Sequence, residues 1–250
     1  MSESHHYWDR FAAEYQQVTN ISCNDFHYGP LIPGDSELQL LPPVHSGMRC
    51  LELACGGAQN SVYLAKQGAI CTAVDISQTQ LQAAAVNAEA HNVDMQLKQL
   101  KLEDITPALG QFELTHSAYG LNFTSNIEAA ISTCEKMLSP EGTLLFSLPH
   151  PLFAAEFLEL DDDEGLFVTN YYNIPPEERH SKNGKIIEQS FFYNISELSS
   201  ILAAANFTIE KIAEPQPSTN PPYTSQVWEE YRDQFRKFPS TLIIKAVRKK

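Results

Sequence analysis

The stretch Leu51-Glu52-Leu53-Ala54-Cys55-Gly56-Gly57-Ala58-Gln59-Asn60 narrows the folds open to this 250-residue chain more than any other segment. A short apolar run passes into small residues and then into a helical pattern. Small residues let a backbone come close to a ligand, and the helix start that follows offers free N–H groups. Asp75 stands 23 residues beyond Glu52, at the end of the next apolar run. A carboxylate there can accept hydrogen bonds from both ribose hydroxyls. The pair predicts a nucleotide-type site at the carboxyl edge of a parallel sheet.

The surrounding pattern supports such a sheet. Apolar runs at 49–54, 70–74, 95–100, 112–117 and 143–148 alternate with helical segments at 60–66, 78–91 and 126–138. This rhythm predicts an α/β, Rossmann-like fold, a mostly parallel sheet with helices on both faces. After the fifth strand the rhythm breaks. Residues 150–195 hold the acidic run Asp161-Asp162-Asp163-Glu164 and two aromatic stretches, 166–172 and 186–193, and read as an insertion over one end of the sheet. The core pattern then returns with a helix at 197–205, capped by Ser196, and a strand at 207–213. A helix is expected around 226–235, and a last strand at 241–247. Two closing strands joined by a long connection predict an antiparallel final strand and seven strands in all. Ahead of the sheet, Trp8, Phe11, Ala12 and Tyr15 fall at helical spacing, followed by the turn-rich link His27-Tyr28-Gly29-Pro30. Residues 1–45 thus form a helix and link, a small lid on a domain covering 46–250.

Composition bears on partners. A formal net charge of −14 would repel a phosphate backbone, and the only basic cluster is the tail Arg248-Lys249-Lys250. Nucleic acid and anionic membrane surfaces are poor partners for such a chain. No window approaches 18 apolar residues, so no membrane span is expected. The five cysteines show no paired or metal-ligand spacing, which fits a reducing cytoplasm.

Two ligands suit the glycine loop. A dinucleotide needs G-x-G-x-x-G, and Gly56 to Ser61 supplies Gly at one of its three positions. The acidic-x-Gly-x-Gly-x-Gly pattern is met by Glu52, Ala54, Gly56 and Ala58 with two Gly-to-Ala changes. Alanine at a positive φ is strained, and the adjacent Gly57 offers a place to absorb the turn.

With the loop, the N-terminal Trp8-Asp9-Arg10-Phe11-Ala12-Ala13-Glu14-Tyr15, Val74-Asp75-Ile76-Ser77, Leu102-Glu103-Asp104-Ile105, Leu138-Ser139-Pro140-Glu141-Gly142-Thr143 and Ser147-Leu148-Pro149-His150-Pro151, the sequence resembles the class I S-adenosylmethionine-dependent methyltransferases, in particular the ubiquinone/menaquinone-biosynthesis-like branch. The resemblance runs from Trp8 to Val247. It implies S-adenosyl-L-methionine as cofactor and no metal. Glu52, Ala54, Gly56 and Ala58 would line the methionine moiety, with Asn60 at the helix start beside them. Asp75 would bind the ribose, and Ile76 would pack beside adenine. Leu102, Glu103 and Asp104 would meet the adenine edge; many relatives carry an Asp where this chain has Lys101. Ser117 and Tyr119 would lie near the transferred methyl, and Tyr15 and Tyr28 would belong to the lid.

Methyl transfer from a sulfonium is an in-line displacement that depends mainly on alignment. A hydroxyl acceptor needs a base, whereas an amine needs only to be neutral. His150, just past the fifth strand, is the candidate base, with Tyr28 beside the reacting groups; the bland alternative for His150 is a structural cap between two prolines. His116, inside the fourth strand, reads as packed; His27 adjoins Tyr28 in the link, and a substrate-side role is the lesser of its two readings. Tyr171, Tyr172, Phe191, Phe192 and Tyr193 offer an aromatic wall, or ordinary strand packing. The function expected is methyl transfer to nitrogen or oxygen of a small-molecule metabolite, amines slightly favoured. Methylation at carbon, an NAD-dependent oxidoreductase and a non-catalytic cofactor-binding module are the competing readings.

Overall fold

Strand alternation sends Cys50 to one face of the first core strand and Leu51 and Leu53 to the other, and two hydrophobic cores grow from that split. The computed structural model describes residues 3–160 and 163–250. Thirteen strands and eight α-helices are assigned among these. The main sheet comprises β2 (Arg49–Leu53), β3 (Ile70–Asp75), β4 (Met95–Gln99), β5 (Phe112–Ala118), β6 (Leu138–Pro149), β11 (Phe207–Ala213) and β13 (Thr241–Arg248). Its order is β11-β13-β6-β5-β2-β3-β4. The pairs β2·β3, β2·β5, β3·β4 and β5·β6 are parallel, while β13 runs antiparallel to both of its neighbours. This is the expected seven-stranded, mostly parallel sheet.

Helices cover both faces. On one, α5 (Ile127–Met137) and α6 (Ile195–Ala204) bury Ile131, Met137, Leu198 and Leu202 against Leu51, Phe146 and Ile244. On the other, α3 (Gln59–Ala65) and the link residues Phe26, Tyr28 and Ile32 cover Cys50, Leu114 and Leu145. Beside them α4 (Gln78–Ala90) lays Leu81 and Ala84 on Ala73. Full burial of each such Leu, Ile or Phe contributes about 1.5–3 kcal/mol. Helix starts are set by side-chain acceptors: Ser77 for α4, Asn126 for α5 and Asn194 for α6. The last corrects the expected cap, since Ser196 lies inside α6 and its hydroxyl donates to the Asn194 side chain (2.7 Å).

The smaller elements surround the carboxyl edge. They are α1 (Glu3–Val18), β1 (Thr19–Ile21), α2 (Asp35–Leu38), the hairpins β7 (Glu156–Leu160)·β8 (Asp163–Phe167) and β9 (Glu177–His180)·β10 (Ile186–Ser190), then β12 (Tyr223–Ser225), α7 (Gln226–Glu229) and α8 (Arg232–Phe235). The insertion is therefore two hairpins. The aromatic stretch expected at 166–172 is mostly loop, because pairing in β8 stops at Phe167. The helix expected around 226–235 is split into two single turns. In the acidic run, Asp161 and Asp162 lie outside the described residues, and Glu164 pairs with Lys237. Among the described residues no helix is long and apolar enough to cross a membrane, and all five cysteines are free and buried.

Candidate active site

The loop after β2 turns on three residues in the left-handed region: Ala54 (φ 52°), Gly56 (φ 52°) and Ala58 (φ 54°). Gly57 does not take the strain for its alanine neighbours, contrary to expectation; each carries it directly, at about 1–2 kcal/mol per residue. Glu52 explains why the loop holds. Its carboxylate accepts from the Ser61 N–H (3.0 Å) and the Ser61 hydroxyl (2.5 Å), so a strand-borne acid caps the start of α3, where Ala58 offers no side chain. Burial pushes the Glu52 carboxyl up to about 7, with the Ser61 hydrogen bonds opposing that rise.

Asp75, at the end of β3, accepts from the Gly56 N–H (2.8 Å) and the Ser77 N–H (2.9 Å). It locks the first turn to the second. Burial again raises its carboxyl, against three backbone hydrogen bonds. From above, α1 lays Trp8, Phe11 and Tyr15 along the same cleft. Asp9 fixes that helix by accepting from the Ser77 hydroxyl (2.7 Å) and the Thr79 N–H (3.2 Å). Ile76 and the run Leu102-Glu103-Asp104 complete the rim, with Lys101 beside them.

These residues enclose a cavity of about 820 Å³, within the usual size range of small-molecule and cofactor sites. A Cβ added at Gly56 would meet nothing nearer than the Gln80 side chain at 3.9 Å, so the loop backbone borders open space. A buried acid, a bare backbone turn and an aromatic cover fit a nucleoside cofactor. Of the residues expected to bind the cofactor, Tyr15, Glu52, Ala54, Gly56, Asp75, Ile76, Leu102, Glu103 and Asp104 line the cavity.

Other expected site residues lie behind the wall. Ala58 is fully buried at the start of α3. The Asn60 amide clamps His27, accepting from its N–H (2.8 Å) and donating to its carbonyl (2.9 Å). The Ser117 hydroxyl donates to the Leu53 carbonyl (2.9 Å), tying β5 to β2. Tyr28 is buried against Phe26 and donates to Asp35 (2.5 Å), so it is a core residue and not part of the lid or the chemistry. His150 is likewise corrected. Its Nδ1 accepts from the Leu152 N–H (3.1 Å) and its Nε2 donates to Glu214 (2.7 Å), which engages both ring nitrogens in capping the turn at 151–154. Burial lowers its pKa, with Glu214 pulling the other way.

The far half of the cavity is built by residues the sequence pattern does not bring together. Tyr119, Phe153 and Trp228 form its aromatic wall; Trp228 stacks on Phe153 (5.1 Å, 17°) and meets Tyr119 edge-on (5.7 Å, 87°). Of the aromatics expected there, Phe191 lines the cavity. Tyr193 is core, with its hydroxyl on the Thr124 carbonyl, and Tyr172 is 79% exposed. Tyr119, expected beside the transferred methyl, directly follows β5 at the carboxyl edge with φ 56°. Trp228 follows a Pro-rich linker and carries no comparable local signal. His27 also lines the cavity; burial lowers its pKa to about 4, and its Nδ1 has no hydrogen-bond partner. His116 lies fully buried behind it.

The fold and this cleft define a doubly wound α/β domain that holds a nucleoside cofactor at the carboxyl edge of its sheet. Residues 50–142 match the methyltransferase domain family. A Haemophilus influenzae protein described as uncharacterized is 25% identical over 95% of this chain and 94% of its own length. A ubiquinone biosynthesis O-methyltransferase from Coxiella burnetii is 28% identical over 134 residues, 54% of this chain and 55% of that enzyme, so the match spans about half of each. Among solved structures, an S-adenosylmethionine-dependent methyltransferase from Listeria monocytogenes, itself assigned by inference, shares the fold at a TM-score of 0.70 with 21% identity, over 86% of this chain and 96% of that one. The matched segment carries a methyltransferase domain, and the whole sheet has the fold of S-adenosylmethionine-dependent methyltransferases.

Proposed function

We propose that this methyltransferase acts on a nitrogen or oxygen of a small-molecule metabolite, with amine-type acceptors favoured. One observation carries the reading: a single cavity joins the nucleoside end, at Gly56 and Asp75, to the aromatic end, at Tyr119, Phe153 and Trp228. When bound, the cofactor supplies a methyl group already activated on a positively charged sulfur. The chain's own work is then to align the acceptor and keep out water, and alignment alone is worth roughly 7–11 kcal/mol. Aromatic faces attract cations. Carboxyl groups on the cavity wall, Glu52, Asp75, Glu103, Asp104, Glu177 and Glu188, outnumber the bases Lys101 and Arg179 there. Such a wall favours an acceptor that arrives as an ammonium ion and gives up its proton to bulk water as it enters, before attack. His27 stays neutral above pH of about 4 and can accept a hydrogen bond from an acceptor N–H without itself becoming charged.

Calorimetry with S-adenosylhomocysteine, followed by transfer of a labelled methyl to pooled amines, phenols and hydroxy acids, tests this. Label on amines is expected. Label on phenols and hydroxy acids alone removes the amine preference, and absence of homocysteine-nucleoside binding removes the whole reading.

A further inference from the structure

The cofactor cover and the acceptor wall are mechanically joined. Helix α1 continues into β1, and β1 pairs antiparallel with β12, Thr19 to Ser225, Asn20 to Thr224 and Ile21 to Tyr223. Next to that ribbon, the Ser22 N–H donates to the Pro222 carbonyl and the Leu31 N–H to the Tyr223 carbonyl, both at 2.8 Å. Ser225 runs directly into α7, which carries Trp228. A second link crosses the cavity itself. The Tyr15 hydroxyl from α1 meets the Tyr223 hydroxyl from β12 at 2.7 Å. Tyr223 is 6% exposed, and its ring stands edge-on to His27 (5.4 Å, 89°). Burial raises the pKa of both phenols, so the pair stays neutral and intact across the working pH range.

We propose that Tyr223 is a positioning residue: through its hydroxyl contact with Tyr15 it transmits closure of α1 over the cofactor to the β12–α7 segment, so that cofactor binding sets Trp228 and assembles the acceptor wall. The proposal rests on the methyltransferase reading of the cavity. The sequence of events follows from the geometry. The nucleoside half is covered by Trp8, Phe11 and Tyr15, so a bound cofactor holds α1 down. A held α1 fixes the Tyr15 hydroxyl, and that hydroxyl holds the Tyr223 hydroxyl at 2.7 Å. Acceptor binding then finds its aromatic wall already ordered, which makes binding ordered with cofactor first.

Hydrogen exchange with mass readout tests the coupling without any acceptor. In the full-length wild type, saturating S-adenosylhomocysteine should slow exchange both in 3–18 and in 223–235. In Tyr223→Phe, which keeps the ring and removes the hydroxyl, protection of 3–18 should persist while ligand-induced protection of 223–235 falls at least severalfold. Affinity for S-adenosylhomocysteine should weaken only roughly fivefold, as for loss of one neutral hydrogen bond. Tyr15→Phe should give the same pattern. If the wild type protects 3–18 but not 223–235, the coupling is wrong. If Tyr223→Phe and Tyr15→Phe both keep full protection of 223–235, the hydroxyl pair is not its carrier. Failure of S-adenosylhomocysteine to bind the wild type at all overturns the methyltransferase reading of the cavity instead.

Discussion

Alanine in place of glycine at two turns of the cofactor loop has a measurable cost. Ala58, at φ 54° and fully buried, sits where glycine carries no Cβ penalty. Ala58→Gly should therefore stabilise the protein by about 0.5–1 kcal/mol, the relieved strain being partly offset by the freer unfolded chain. Chemical denaturation measures this, and a loss of stability would show that the alanine methyl packs better than the turn suffers. Two buried imidazoles make a second residue-scale case. Burial lowers His116 to about 3 and His27 to about 4, and both nitrogens of His116 lack partners. A folded-state pKa below the unfolded value of about 6.5 means stability is complete above pH 6.5 and is lost as the pH falls through the window down to about 3. For His116 alone that loss is on the order of 5 kcal/mol. Glu52 opposes it in part: its raised carboxyl contributes stability that is present below pH of about 4.5 and disappears as the pH rises through about 7. His116→Leu should leave stability at pH 7 unchanged or improved and move the acid unfolding midpoint downward. An unchanged acid midpoint would mean that this ring is hydrated and not the origin of acid sensitivity.

Elements were more legible in the sequence than the contacts between them. Each of the seven core strands lies within a few residues of its expected position, because buried parallel strands are short apolar runs that helices separate. The site followed where chemistry was local. Glu52, Gly56 and Asp75 are tied to one strand–turn–helix unit and its neighbour, so their placement at the cleft is readable from spacing. Tyr28, Ser117 and His150 were misplaced for the opposite reason. Each has a suitable residue type, but its partner turns it away from the cavity: Asp35, seven positions on, holds Tyr28, while the distant Leu53 carbonyl and Glu214 hold Ser117 and His150. Trp228 and Phe153 could not be paired in advance, since nothing within 75 positions of chain separation marks them as neighbours. Helix α6 offers a simple check at this scale. Asn194→Ala should cost about 1 kcal/mol through loss of the bond to the Glu197 N–H (2.9 Å), and Ser196→Ala less. Equal losses in thermal melts would return the cap to Ser196.

At the scale of the molecule, ligand binding and folding share one equilibrium. The cavity is closed by α1 from the start of the chain, by β10 from the insertion and by β12 and α7 from the late segment, so the unfolded chain has no site to offer. S-adenosylhomocysteine at a hundred times its dissociation constant should stabilise the fold by about 2.7 kcal/mol, and NADH should not. A shift of the thermal midpoint with NADH and none with S-adenosylhomocysteine would contradict the cofactor assignment.

The position of β13 has a further effect on how such a chain is made. It follows β6 and β11 in sequence yet lies between them, and Thr241 at its start shares a hydrogen bond with the Tyr119 hydroxyl (2.6 Å). During synthesis, β6 therefore emerges with an unpaired edge and Tyr119 without its anchor. Both must wait about a hundred residues for the strand that completes them. The nascent chain is exposed to edge-to-edge association over that interval, and its aromatic wall can form only after the sheet has closed.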